Sequence, residues 1–230
     1  MRINVYLAQQ LNISRREADR LIEAKQVKVN GKKACLGQQI NPEQDRIVAQ
    51  GKIIQPKKQQ YITIALYKPQ GYVTTKSDPH KRKTVMQLLP KELQHLKPVG
   101  RLDYDSEGLL LLSNNGTFIY TSTHPKYEKQ KEYRLVFKNP VTKDLLNAFQ
   151  KGIRLTEGMA KADSVKKIEE NEIEVVIHQG WNRQLRRMAE KCHYDVFRLI
   201  RTRVGNVELG SLQSGEWREI TSKQQRGKDS

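Results

Sequence analysis

Gly100-Arg101-Leu102-Asp103-Tyr104-Asp105-Ser106-Glu107-Gly108-Leu109-Leu110-Leu111-Leu112-Ser113 is the stretch from which the rest of the sequence can be read. Its second half is an uninterrupted apolar run ending in Ser113. A strand of that composition has to be covered on both faces, which predicts the interior of a sheet. Its first half sets three carboxylates (Asp103, Asp105, Glu107) and Arg101 within seven residues of one another, directly before that strand. Side chains on the approach to a buried strand can be held in fixed positions, as a reactive group requires. The same residues also suit an acidic loop that caps its own backbone amides, as Asp-x-Ser-x-Gly turns do. The residues alone leave both readings open.

Outward from this stretch the texture is mixed. Residues 61–67 read as a strand closed by the Lys68-Pro69-Gln70-Gly71 turn. Residues 131–137 and 172–177 alternate as strands do. Residues 142–151 predict a helix with Leu145, Leu146 and Phe149 on one side. Asn182 is expected to cap a helix running to about Cys192. In that helix Leu185, Met188, Ala189 and Cys192 share a face, and Arg183, Arg186 and Arg187 occupy the other. From Trp181 to Arg203 there are seven Lys and Arg against two Asp and Glu, interleaved with Trp181, Tyr194 and Phe197. That mixture suits RNA, whose bases stack on aromatics while phosphates meet arginine.

The first sixty residues form a different module. Ser14-Arg15-Arg16-Glu17 fits a capping box opening a helix, preceded by a short helix with Ile3, Leu7 and Leu11 on one face. Val27-Lys28-Val29 enters an Asn30-Gly31 turn, and Ile47-Val48-Ala49 is another short strand. Residues 51–60 read as the linker. This module holds twelve Lys and Arg against five Asp and Glu, +7 of the chain's net +17. A balance of that size, with a pI near 9.9, calls for a polyanionic partner. No apolar stretch is long enough to span a bilayer, and the N-terminus has no signal-peptide pattern. The expected location is therefore the cytoplasm. Cys35 and Cys192 lie far apart without metal-ligand spacing, and both are expected to be buried or half-buried.

The chain resembles the pseudouridine synthases that modify ribosomal RNA and carry an N-terminal S4 domain. Gly100-Arg101-Leu102-Asp103, with Asp105-Ser106-x-Gly108-Leu109, is similar to their catalytic motif. Lys68-Pro69-x-Gly71, Lys131-x-Tyr133 and Asn182-Arg183-Gln184-Leu185-Arg186-Arg187 with Leu199-x-Arg201-x-Arg203-x-Gly205 follow in the family's order. Residues 14–22 and 27–31 resemble an S4 domain. Two departures stand out. Lys25 occupies a helix exit where glycine is usual, which predicts a left-handed residue, and Trp181 stands where an arginine is frequent.

The resemblance implies an α+β chain: an S4-like RNA-binding domain at 1–58 and a larger, mostly antiparallel catalytic domain at 61–224. It implies isomerisation of one uridine in ribosomal RNA, or in a ribosomal subunit assembly intermediate, by a monomer needing neither cofactor nor metal. Asp103 would be the essential carboxylate, acting as nucleophile or as base. Tyr133 would pack on the flipped-out uracil, with Leu199 supporting the other side. Arg186 would pair with Asp103, and Arg101 would fill the space the base vacates. Arg15, Arg16, Arg20 and Lys28, together with Arg183 and Arg187, would contact RNA. The alternatives are a non-catalytic S4-type RNA-binding protein and a glycoside hydrolase using Asp103 and Asp105 as an acid/base pair. The net charge argues against the hydrolase.

Overall fold

The structure is a computed structural model that describes every residue except 12, 57–59, 222, 223 and 225–230. It divides into two compact units, Met1–Gln60 and Tyr61–Ser230.

The first unit contains α1 (Ile3–Leu11), α2 (Arg15–Glu23) and four short strands, β1 (Val27–Val29), β2 (Lys32–Lys33), β3 (Ile47–Ala49) and β4 (Lys52–Ile53). They pair antiparallel in the order β2-β1-β3-β4. The capping box is formed: the Glu17 amide donates to Ser14 Oγ at 3.1 Å, and the Ser14 amide to the Glu17 carboxylate at 3.3 Å. Beyond α2, Lys25 adopts φ +57° while its amide and that of Gln26 close back onto Ile22 and Leu21. Ile3, Tyr6, Leu7, Ala18, Ile22, Val27 and Ile47 make the core.

Two expectations for this region are corrected. Residues 51–53 belong to the module and not to the linker. Gln50 and Gly51 both take positive φ and turn β3 back onto β4, a hairpin that lacks the Asn-Gly signature. Cys35 is exposed on a loop. Of the expected linker, residues 57–59 lie outside the described residues.

The second unit is built on a nine-stranded sheet. In chain order its elements are β5 (Thr63–Lys68), β6 (Lys97–Val99), β7 (Glu107–Ser113), α3 (Gly116–Thr123), β8 (Lys131–Phe137), α4 (Lys143–Lys151), β9 (Ile153–Leu155), β10 (Gly158–Ala160), β11 (Ser164–Glu169), β12 (Glu172–Ile177), α5 (Gln184–Lys191), β13 (Val196–Val204), β14 (Val207–Glu208) and β15 (Trp217–Glu219). The order across the sheet is β11-β12-β8-β13-β7-β5-β15, with β6 added to β7 and β14 to β13, while β9 and β10 form a separate hairpin. Among these strands every pair is antiparallel except β13 with β7. The fold is α+β with a mostly antiparallel sheet.

The apolar run becomes β7, buried at every position. Leu110 and Leu112 enter a large core with Leu135, Phe137, Phe149 and Leu185. Leu109 and Leu111 enter a second core with Val99, Val204 and Val207. Two-sided burial is the reason its sequence does not alternate.

α5 departs from expectation at its start. Its cap is Arg183 in a left-handed conformation (φ +49°) with no capping side chain, and Asn182 lies one residue outside.

Gly108 allows β7 and β13 to meet. At φ +99° an added Cβ would stand 2.4 Å from the Arg201 carbonyl oxygen and 2.7 Å from its nitrogen. Backbone cannot yield as a flexible side chain can. Gly108→Ala is expected to destabilise the unit by about 2–5 kcal/mol, combining overpacking with an unfavourable φ. A urea midpoint equal to that of wild type would contradict so close an approach.

Candidate active site

The segment 101–106 joins β6 to β7 and carries Asp103. It is held by its backbone. The Arg101 carbonyl accepts from Arg201 Nη1 (3.3 Å), and that of Leu102 from Thr74 Oγ1 (2.7 Å). The Asp103 carbonyl accepts from the Ser106 amide (3.1 Å), and that of Tyr104 from the Gly71 amide (2.9 Å). The Asp105 carbonyl accepts from Arg186 Nη2 (2.7 Å), and that of Ser106 from Lys68 Nζ (2.6 Å). Six consecutive carbonyls are therefore satisfied, five of them from outside the segment. A loop on which every acceptor is engaged has little freedom to reorient its side chains.

Three of these donors are charged. Lys68 ends β5 fully buried, and it also donates to the Pro69 carbonyl at 3.0 Å. Burial depresses its pKa to about 8, and the nearby carboxylates of Asp103 and Asp105 oppose that shift. Arg201 is also buried, and its Nε donates to the Leu109 carbonyl at 2.7 Å. Arg186 adds a bond from Nη1 to the Val196 carbonyl at 2.8 Å.

The expected Arg186–Asp103 pair is not formed. Arg186 Nε approaches Asp105 Oδ2 at 3.3 Å, and Arg183 Nη1 donates to Asp105 Oδ1 at 2.8 Å. The reason is the tight turn closed by the Ser106 amide on the Asp103 carbonyl, which carries position 105 toward α5. Burial pushes the Asp105 carboxyl up, but Arg183 and Arg186 outweigh it and hold the group below its ordinary range. Asp103 is half-buried and lies within the electrostatic reach of Lys68, Arg183 and Arg186.

Tyr133 on β8 and Leu199 on β13 are buried and share one core with Leu102, the residue before Asp103. Arg101 is exposed. Arg183, Arg186 and Arg187, expected on the face of the helix opposite its apolar side, all have carboxylate partners. The Arg186 side chain is only 13% exposed, and Arg187 is paired with both oxygens of Glu157 at 2.8 and 2.9 Å. Trp181 is half-buried, and the edge of its ring lies 3.4 Å from where a Gly158 Cβ would sit, so it packs against the β9–β10 turn. In the first unit Arg15, Arg16 and Arg20 on α2 and Lys28 on β1 are all exposed.

Sequence reasoning gave no role to Lys68 or Arg201, or to Glu107, whose carboxylate accepts from Arg198 Nε and Nη2 and from Tyr67 Oη. The one signal was a charged residue at the end of an apolar strand or inside an alternating one. Among the described residues no helix is long and apolar enough to cross a membrane.

Residues 62–191, more than half of the chain, match the profile of the RNA pseudouridylate synthases. The chain belongs to that family. Residues 1–47 match the S4 domain. The dual-specificity RNA pseudouridine synthase RluF of Escherichia coli strain K12 is 36% identical over 222 residues, covering 96% of this chain and 76% of that protein. The ribosomal large subunit pseudouridine synthase B of Bacillus subtilis is 39% identical over 215 residues, covering 90% and 87%. A crystal structure of a pseudouridylate synthase superposes with a TM-score of 0.69 at 29% identity, covering 96% of each chain. The synthase thus combines an S4 domain with an enzymatic domain in which the carbonyl-anchored loop 101–106 carries Asp103.

Proposed function

We propose that this synthase isomerises one uridine in ribosomal RNA, free or within a subunit assembly intermediate, acting in the cytoplasm as a monomer with Asp103 as its essential carboxylate. The observation that carries the assignment is the engagement of all six backbone carbonyls of residues 101–106, which holds a half-buried carboxylate within electrostatic reach of three cations. The relative named for the ribosomal large subunit supports ribosomal RNA as the substrate.

In the reaction the N1–C1′ bond breaks, the uracil rotates and C5 bonds to C1′. The C5 proton is released and N1 takes one up, so product and substrate are isomers. Asp103 serves as nucleophile or base, for which it must be ionised. Lys68, Arg183 and Arg186 lie within electrostatic reach of it. A uridine inside folded RNA reaches Asp103 by being flipped out of its stack. Tyr133 and Leu199 belong to the apolar wall that receives the uracil, and Arg101, exposed beside it, fills the space the base leaves. Arg183 and Arg187 contact RNA by exchanging their carboxylate partners for phosphates. The test is pseudouridine mapping of ribosomal RNA from cells lacking the gene, followed by restoration with purified protein. An unchanged map would reject the reading.

Arg15, Arg16, Arg20 and Lys28 dock RNA from the first unit, which carries +7 of the +17 charge. A chain beginning at Tyr61 is expected to fold, to bind ribosomal RNA more weakly, and to show a shallower fall of affinity with salt, because fewer counterions are released. Filter-binding titrations at several salt concentrations measure this. An unchanged slope would place docking in the second unit.

A further inference from the structure

A cluster of rings on the surface of the second unit is used by neither the core nor the site described above. At the end of α3, Tyr120 and His124 lie 4.8 Å apart, centroid to centroid. Tyr127 meets Tyr120 edge-on at 5.8 Å and His124 at 6.4 Å. Tyr120 and Tyr127 remain 46% and 42% exposed, and none of the three rings joins a core cluster. Aromatic rings gathered in water contribute little to folding unless something covers them.

The turn that presents them is tightly made. The His124 and Tyr127 amides donate to the Tyr120 and His124 carbonyls at 2.9 and 3.1 Å. The Lys126 amide donates to His124 Nδ1 at 3.2 Å, and Glu128 closes the turn with φ +43°. Lys126 Nζ stands 4.7 Å from the Tyr127 centroid and 5.4 Å from that of Tyr120, a cation over both rings.

Its position matters as much as its composition. Thr123 Cγ2, at the end of α3, lies 3.6 Å from where a Cβ on Gly100 would sit. Gly100 is three residues, at most about 11 Å of chain, before Asp103, so Thr123, the neighbour of His124, lies within about 16 Å of the Asp103 backbone. Exposed Arg101 follows Gly100 directly, and between Thr123 and Lys131 there are three lysines and one glutamate.

We propose that Tyr120, His124 and Tyr127 form a stacking platform for an unpaired nucleotide neighbouring the target uridine, with Lys126 turning from the rings to its phosphate. The proposal rests on RNA being the substrate, as argued above. The lysines favour a polyanion over an apolar protein segment. The open ring faces favour single-stranded RNA, because a duplex hides its base faces within the stack. The platform also fits a flipped uridine, since extruding one base unstacks its neighbours.

The full-length double variant Tyr120→Ala/Tyr127→Ala tests this. The platform predicts a rise of about tenfold or more in the KM for unmodified ribosomal RNA, with kcat at saturation unchanged. A 2-aminopurine-labelled single strand of roughly ten nucleotides should lose affinity to the same degree, whereas a duplex of equal length should not. Tyr120→Phe/Tyr127→Phe keeps the ring faces and should behave as wild type. Wild-type KM and single-strand affinity in the alanine variant would overturn the platform and leave the patch to a protein partner. An equal loss for duplex and single strand would also overturn it. If wild-type protein forms no pseudouridine, the isomerase reading fails, while the single-strand comparison still decides the platform.

Discussion

Asp103→Asn is expected to lower single-turnover isomerisation by a factor on the order of 10⁴ or more while leaving the fold and RNA affinity nearly unchanged. Asparagine keeps the shape and one oxygen of aspartate. The six carbonyl anchors of residues 101–106 involve backbone acceptors that the substitution does not alter. What is lost is the negative charge and the capacity to act as nucleophile or base. Asp105→Asn is the internal control. It weakens a carboxylate held by Arg183 and Arg186, a group 40% exposed, so a loss of about tenfold is expected. Tritium release from C5 of unmodified ribosomal RNA reads both variants. Substantial turnover in Asp103→Asn with none in Asp105→Asn would move the catalytic carboxylate two residues along. Activity in both would remove the enzymatic role from this loop.

The second large effect is expected at Arg186. Its guanidinium joins three groups at once: the Val196 carbonyl, the Asp105 carbonyl and the Asp105 carboxylate. Arg186→Lys preserves the charge but replaces a planar fork with one ammonium on a flexible stem, which cannot serve all three in the same geometry. At least one acceptor loses its partner, at a cost of about 1–3 kcal/mol, and the loop is released on its α5 side. Turnover is expected to fall roughly 10²-fold, more than the affinity for RNA, because the loss lies in positioning. Near-wild-type kcat in the lysine variant would show that the loop keeps its place without this anchor.

What could be read in the sequence was whatever depended on neighbours in the chain. The run from Leu109 to Leu112, the helix opened by Thr142 and the capping box at Ser14 were legible because periodicity and caps are local. Asp103 stood out through its resemblance to a known motif. The partner of Arg186 could not be read, because it depends on which carboxylate a turn 81 residues away presents. Lys68 was read only as the opening of a proline-glycine turn, since the carbonyl that justifies its burial lies 38 residues further on. The Gln50–Gly51 hairpin was missed because its turn dihedrals come without the asparagine that usually marks them. In each failure the deciding partner was distant or the composition atypical.

Because residues 101–106 are fastened through their peptide carbonyls, the scaffold is largely indifferent to the side chains it displays. Arg101 and Tyr104 are exposed, and no hydrogen bond among those holding the loop involves either side chain. They can be exchanged without loosening the frame that aims Asp103. If Asp103 is the essential carboxylate proposed above, the loop would keep the chemical step fixed while leaving positions 101 and 104 free to vary. A library varied only at 101 and 104 should contain members with altered target preference and full thermal stability.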